Sequence, residues 1–146
     1  RFLAPTLEKD FDLPAMTRIV VGPPWRTMSP ADRAGLVAAF SAVSVATYAS
    51  EFKSYGGEHF EVDPAPAELA GGRCVVHTRL YTGSSTVELD YVEQPEGGAW
   101  KIIDVLLNGS ISQLAARRSE YSATLRAGGA PALAALLRQK ADELAK

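Results

Sequence analysis

The fold is decided by residues 72–107, which read GRCVVHTRLYTGSSTVELDYVEQPEGGAWKIIDVLL. Three runs rich in β-branched and aromatic residues cover Arg73–Tyr81, Thr86–Glu93 and Trp100–Leu107, and Gly, Pro and Ser dominate the gaps between them. Short runs of this composition that are bounded by turn residues predict β-strands. The stretch therefore predicts three consecutive antiparallel strands joined by two short turns.

The first hairpin has a well-defined register. A four-residue loop over residues 82–85 pairs Tyr81 with Thr86, and the same ladder sets His77 opposite Asp90. One face of the two strands then collects mostly apolar side chains: Cys74, Val76, Thr78, Leu80, Val87, Leu89 and Tyr91. The other face carries opposite charges in cross-strand pairs, which stabilise a sheet. Because a slip of one residue would move every side chain to the other face, this register is strongly specified.

The second hairpin allows two registers. A five-residue loop pairs Glu93 with Lys101 and adds three side chains to the apolar face: Ile103, Val105 and Leu107. A four-residue loop adds a different set: Trp100, Ile102, Asp104 and Leu106. We favour the five-residue loop, since it keeps the Asp104 carboxylate off a face that we expect to be buried.

Helical patterns precede the strands. Asp12 predicts the N-cap of a short helix that ends at Gly22, and Ser29 followed by Pro30 predicts the start of a long helix. The long helix is expected to run to about Ser54. Its apolar residues recur at intervals of three and four and form one stripe: Leu36, Val37, Phe40, Val43, Thr47, Tyr48 and Phe52.

A shorter strand over Glu58–Asp63 is predicted ahead of the other three. After them, helical spacing returns through Leu114, Tyr121 and Leu125. Glycines at 128 and 129 break that helix, and Pro131 begins a last one. This order predicts an α+β fold with a curved, mostly antiparallel sheet of about four strands and helices packed on one face. The 146 residues are expected to form a single domain, 1–146.

The composition is that of an ordinary globular protein, with 47% hydrophobic residues, 22% charged residues and a net charge of −2. Since both signs of charge are interspersed, nothing indicates nucleic acid as a partner. The lone cysteine, Cys74, cannot form an internal disulfide. No apolar run approaches the roughly 20 residues of a membrane helix. The chain starts at Arg1 without a signal-like segment, as a processed or trimmed product would.

Few residues suit catalysis. His77 opposite Asp90 could supply a general base and its orienting carboxylate, but a solvated pair on the polar face is the simpler interpretation. Asp104 is a second candidate base, and Ser84 and Ser85 lie in a turn that lacks the surroundings of a nucleophile. Two histidines and one cysteine, with no paired carboxylates, predict no metal site. We therefore predict no enzymatic activity, no metal and no cofactor.

Apolar surface is the remaining feature. The stripe of the long helix and the apolar face of the sheet are both rich in large side chains, among them Phe40, Phe52 and Tyr91. Their simplest use is close packing into a core. A curved sheet capped by helices can also enclose a ligand cavity, so an apolar pocket between helix and sheet is the alternative.

Several motifs together resemble one family over nearly the whole chain. They are Phe11-Asp12-Leu13-x-x-Met16-x-Arg18-x-Val20-x-Gly22-x-x-Trp25-Arg26, then Val87–Tyr91, Gly98–Val105, Asn108–Ser112 and Arg118-x-x-Tyr121. Their order and spacing resemble the toluene-tolerance or MlaC family of periplasmic lipid carriers. The detail of residues 11–26 is most similar to the hopanoid-associated branch of that family (HpnM). The chain departs from the pattern at Asn108, where the family has glutamate. It also lacks the family's N-terminal helix, which would leave part of a pocket wall missing.

The resemblance implies a soluble periplasmic protein that shuttles a lipid, either a hopanoid or a phospholipid, between the inner and outer membranes. Its partners would be an inner-membrane lipid transporter and an outer-membrane acceptor complex. The lipid cavity is expected to be lined by the helix stripe, the sheet face and the following helix: Phe40, Val43, Tyr48, Phe52, Val76, Leu80, Val87, Leu89, Tyr91, Ile103, Val105, Leu107, Leu114 and Tyr121. Two other functions stay open. One is a small cone-shaped enzyme of the steroid-isomerase kind that uses His77 or Asp104, and the other is an adaptor without a cavity.

Overall fold

An antiparallel sheet packed against α-helices makes up the part of the chain that the computed structural model describes, residues 9–51, 59–81, 85–108 and 111–146. The strands are β1 (His59–Val62), β2 (Ala67–Glu68), β3 (Cys74–Tyr81), β4 (Thr86–Glu96), β5 (Ala99–Leu107) and β6 (Ile111–Ser112). The α-helices are α1 (Leu13–Val21), α2 (Pro30–Glu51) and α3 (Gln113–Ala145), and short 3-10 helices cover Pro23–Thr27 and Ala70–Gly72. The predicted α+β fold is confirmed.

Within those ranges the sheet has six strands in the order β1-β3-β4-β5-β6, with β2 also paired to β3. Every neighbouring pair is antiparallel. The four longer strands correspond to the four that the sequence predicts. The pattern does not predict β2 and β6, because a strand of two residues is too short to show an alternation.

The register of β3 and β4 is the predicted one. Tyr81 pairs with Thr86, and the ladder continues without a shift to Cys74 and Glu93. On the predicted apolar face, Leu89 and Tyr91 pack against the main hydrophobic core that the helices share with the sheet. Alternating apolar and charged residues therefore suffice to fix how these two strands pair.

Both predicted registers of the second hairpin are wrong. The turn has only two residues, Gly97 and Gly98, and their positive φ values of 57° and 82° fit the tight turn that glycine pairs favour between strands. A bulge at Val92 then shifts the ladder and leaves Ile103 without a direct partner. Beyond the bulge, Val105 lies opposite Tyr91, and Leu107 is likewise paired to β4 on that face. The bulge thus restores the predicted face for those two side chains but not for Ile103.

The chain leaves β5 through Asn108, which adopts a left-handed conformation with φ of 54°. Asparagine tolerates this region better than most residues. Its backbone N–H donates to the carbonyl of Glu88 at 2.9 Å. Asparagine therefore suits the backbone conformation that this position requires.

The ends of α1 are the predicted ones. Oδ1 of Asp12 accepts from the backbone N–H of Ala15 at 3.0 Å, and Gly22 ends the helix with a φ of 77°. At the start of α2, the Ser29 hydroxyl accepts from the N–H of Asp32 at 3.1 Å. The predicted end of α2 near Ser54 lies outside the described residues.

The two predicted C-terminal helices form one broken helix, α3. Gly129 interrupts it with φ of 70° and ψ of −162°, and Pro131 follows directly in the second half. Ser112 caps the first turn by accepting from the N–H of Ala115 at 3.1 Å. Both halves contribute to the core, through Tyr121 before the break and Leu133 after it.

The main core lies where α1, α2 and α3 meet one another and the sheet. Its most buried large side chains are Tyr121, Leu36, Leu133, Leu137 and Val20. A smaller cluster joins α1 to the bulge and contains Ala15, Val75, Val92 and Ile103. Among the described residues, no helix is both long enough and apolar enough to cross a membrane.

Candidate ligand-binding cleft

A cleft of about 310 Å³ lies between α2 and the sheet. The lining from α2 is Phe40, Val43, Ser44 and Thr47, and the lining from the sheet is Leu89, Tyr91, Val105 and Leu107. The first turns of α3 contribute Gln113, Leu114 and Arg117, and α1 contributes Met16. Apolar side chains thus form both walls, and neutral polar groups with one cation complete the lining.

The two walls follow from helical and strand periodicity. Positions 40, 43, 44 and 47 recur at three and four residues and therefore share one face of α2. Leu89 and Tyr91 alternate along β4, and their cross-strand partners Leu107 and Val105 continue the wall on β5. Helix and sheet thus each present one continuous apolar face to the space between them.

The two walls differ in burial. Phe40 and Val43 on the helix are 3% exposed. Leu89, Tyr91 and Leu107 on the sheet are only half-buried, although they are among the larger apolar side chains of the chain. The described part of the chain therefore leaves part of the sheet wall uncovered, which a closed core would not do.

Seven of the fourteen predicted cavity residues line this cleft: Phe40, Val43, Leu89, Tyr91, Val105, Leu107 and Leu114. Val76, Leu80 and Val87 extend the same sheet face toward β1 but do not line the cleft. Tyr121 is fully buried in the core behind it, and Ile103 belongs to the smaller cluster at the bulge. The side chain of Tyr48 and the whole of Phe52 lie outside the described part of the structure.

Comparisons with known proteins identify the family and the fold. A family model described as "MlaC protein" matches residues 1–139. The chain belongs to the MlaC family. A solved structure with the same fold is the phospholipid-binding protein from Ralstonia solanacearum in complex with a phospholipid. The superposition has a TM-score of 0.80 and 21% sequence identity, and it covers 94% of this chain and 77% of that chain. At this identity the likeness shows the fold alone. The hopanoid-associated branch of the MlaC family stays a prediction.

The polar part of this MlaC-family cleft is what the sequence interpretation missed. Thr47 already belongs to the predicted stripe of the long helix, but Ser44 shares the helix face of Phe40 and Val43, and its spacing could have identified it. The Thr47 hydroxyl donates to the carbonyl of Val43 at 2.7 Å, so it is bonded to its own helix. Gln113 and Arg117 lie four residues apart on α3, next to Leu114, but a pattern based on apolar residues passes over them.

The candidate catalytic residues do not line the cleft. His77 Nδ1 lies 3.0 Å from Asp90 Oδ2, and this pair alternates with the cleft-facing residues along β3 and β4. The prediction of a solvated pair is right for His77, whose side chain is 41% exposed, and wrong for Asp90, which is 8% exposed. Asp90 shares this sheet face with Val75 and Val92 of the cluster at the bulge.

Asp104 holds β5 to the start of α3. Its Oδ1 accepts from the backbone N–H groups of Val105 at 2.8 Å and Leu114 at 3.3 Å, and its Oδ2 accepts from the Ser112 hydroxyl. A carboxylate at a helix N-terminus that accepts several hydrogen bonds is a stabilising arrangement. This accounts for Asp104 without a catalytic role.

Another groove, of about 600 Å³, lies beside Leu69 and Trp100. Its lining includes the charged side chains of Glu68, Arg73 and Glu93. Burial raises the pKa of the nearby Cys74 thiol, and the negative charge of Glu93 raises it further. An apolar ligand in this groove would desolvate the carboxylates, which costs free energy. The groove is therefore less suited to an apolar ligand than the cleft is.

In the described ranges, no group of three or more histidine, cysteine, aspartate or glutamate residues is placed to hold a metal ion. The cleft itself contains no such residue among its lining. What the arrangement offers to a ligand is apolar contact, three neutral polar side chains and one guanidinium.

Proposed function

We propose that this chain is a non-enzymatic lipid carrier that holds the apolar part of one lipid in the cleft between α2 and the sheet. The observation that carries the proposal is that Leu89, Tyr91 and Leu107 of the sheet wall are only half-buried beside a concave space, opposite the buried Phe40 and Val43 of α2. Large apolar side chains that remain partly uncovered beside a concave space favour an apolar ligand.

The energetics of such a site suit a carrier. Each methylene that leaves water gains about 0.8 kcal/mol, so a long acyl chain gains on the order of 10 kcal/mol without any covalent bond. The described cleft, at about 310 Å³, lies at the low end of the roughly 300–1,000 Å³ of ligand pockets. At this size it suits an acyl chain rather than a whole lipid, with the headgroup left at the mouth.

The family and the shared fold support the same function. MlaC-family membership, together with the phospholipid in the Ralstonia solanacearum structure, supports a lipid as the ligand. We further propose that residues 1–146 act as one periplasmic carrier domain that shuttles between an inner-membrane lipid transporter and an outer-membrane acceptor complex. The lipid is a phospholipid or, on the resemblance of residues 11–26, a hopanoid.

Tyr91→Arg tests the position of the site. It places a guanidinium on the sheet wall, where an acyl chain would have to desolvate it, so lipid uptake from vesicles should be lost. Trp100→Arg is the matched control, since Trp100 is 52% exposed and does not line the cleft. Native mass spectrometry after incubation with phospholipid vesicles measures the bound lipid, and circular dichroism checks the fold. Wild-type uptake by a folded Tyr91→Arg protein would place the lipid elsewhere.

A further inference from the structure

Arg117 is the charged group of the cleft. It lies on the second turn of α3, four residues after Gln113, and its side chain is half-buried. Among the described residues that line the cleft, Arg117 alone is charged at neutral pH. The other polar side chains there are Ser44, Thr47 and Gln113, which are neutral.

The charge of Arg117 is not neutralised by another part of the described structure. Its Nη1 donates to the neutral hydroxyl of Tyr121 at 3.4 Å. The ion pairs of the described residues are His77–Asp90 and Arg79–Asp63, so Arg117 is in neither. A guanidinium carries five N–H donors, and the bond to Tyr121 uses one of them.

The neighbouring Arg118 is engaged differently. Its Nε and Nη2 both donate to the carbonyl of Ile19, at 2.8 and 2.6 Å, and so fasten α3 to α1. The backbone N–H groups at the start of α3 are also engaged, because Leu114 donates to Asp104 and Ala115 donates to Ser112. Arg117 is therefore the group at this end of the cleft that is suited to an anion.

We propose that Arg117 binds the phosphate of a phospholipid whose tails occupy the cleft, and thereby selects phosphate-bearing lipids over neutral ones. The inference rests on the proposed function and narrows its ligand class to phospholipids. A planar guanidinium can hold two phosphate oxygens at once, and such charge-assisted pairs are stronger than neutral hydrogen bonds. Half-burial strengthens the attraction further, since less water screens the two charges.

The test compares two lipids that differ only in the phosphate-bearing headgroup. Phosphatidylglycerol and diacylglycerol with the same acyl chains are offered to the full chain, and the two dissociation constants are measured. The wild-type protein should prefer phosphatidylglycerol by about tenfold or more, the effect of one charge-assisted contact. Arg117→Gln should lower this preference to near one, because it weakens the binding of phosphatidylglycerol.

Two further variants sharpen the result. Arg117→Lys keeps the positive charge but cannot form the bidentate hydrogen bonds of a guanidinium, so it should retain part of the preference for phosphatidylglycerol. Arg126→Gln removes an equal charge from an exposed position on the same helix and should retain the full preference for phosphatidylglycerol.

Equal wild-type affinities for the two lipids, or a full preference in folded Arg117→Gln, would overturn the role of Arg117. A folded wild-type protein that binds neither of these lipids nor a hopanoid would instead refute the proposed carrier function. Tight binding of a neutral hopanoid alone would keep the carrier and reject the phosphate site.

Discussion

Leu89→Ala distinguishes a ligand-binding wall from a closed core. The substitution removes three carbon groups, which at about 0.8 kcal/mol each are worth about 2.4 kcal/mol when fully buried. Leu89 is half-buried beside an existing cleft, so its truncation should cost about 1.2 kcal/mol and open no new cavity. The control is Leu133→Ala in the core, where Leu133 is 1% exposed and the residual cavity raises the cost to about 3–5 kcal/mol.

Urea denaturation of the lipid-free proteins, followed by circular dichroism, measures both costs. In the same titration with phospholipid present, the lipid should stabilise the wild-type protein and Leu133→Ala more than Leu89→Ala, because stabilisation by a ligand grows with the logarithm of the ratio of ligand concentration to Kd, and Leu89→Ala should raise Kd. A cost for Leu89→Ala that equals the cost for Leu133→Ala would mean that the sheet wall is closed core. The sheet wall would then not be open to a ligand.

Two further predictions concern carboxylates outside the cleft. Asp104→Ala removes the acceptor of three hydrogen bonds, from Val105 within β5, Ser112 in β6 and Leu114 in α3. It should lower the free energy of unfolding by about 2–4 kcal/mol, whereas Asp104→Asn keeps an acceptor and should cost less. A wild-type urea midpoint for Asp104→Ala would contradict this structural role. The Asp12 carboxylate raises the pKa of Glu96, first through a hydrogen bond and then through charge repulsion. The stability contributed by Glu96 is thus present below its ordinary pKa of 4.5 and is lost as the pH rises through the raised value. Glu96→Gln should abolish the loss that begins as the pH rises above the ordinary pKa of 4.5, and a pH profile identical to wild type would exclude the interaction.

The sequence predicts those parts of the fold where local and long-range signals agree. The alternation along β3 and β4 allows one register only, since any slip would bury the charges of Arg79 and Glu88. The caps at Asp12 and Ser29 are local hydrogen-bonding patterns, and they are found where the residue types indicate them.

The second hairpin shows why other parts escape prediction. Counting loop residues between two apolar patterns gives four or five, but Gly97 and Gly98 close the turn alone and β4 extends through Pro95. The bulge then shifts the ladder by one residue, so that Val105 lies on the predicted face of the sheet although the predicted turn length is wrong. A bulge has no periodic signature of its own, because it consists of one residue that breaks the period.

The candidate site is predictable in its apolar half only. The spacing of apolar residues along the helix and the strand predicts Phe40 and Tyr91 as lining residues, because each belongs to a continuous apolar face of its own element. Arg117 belongs to a third element, α3, and it reaches the cleft only because Asp104 and Ser112 fix where that helix begins. Such placement depends on tertiary contacts between β5 and α3, which no pattern within either segment records.

The central claim is that the chain carries one lipid, and native mass spectrometry of gently purified protein tests it most directly. We expect one co-purified lipid per chain, which organic extraction should identify as a phosphate-bearing lipid. Protein that is folded, empty as purified and still empty after mixing with phospholipid or hopanoid vesicles would contradict the account.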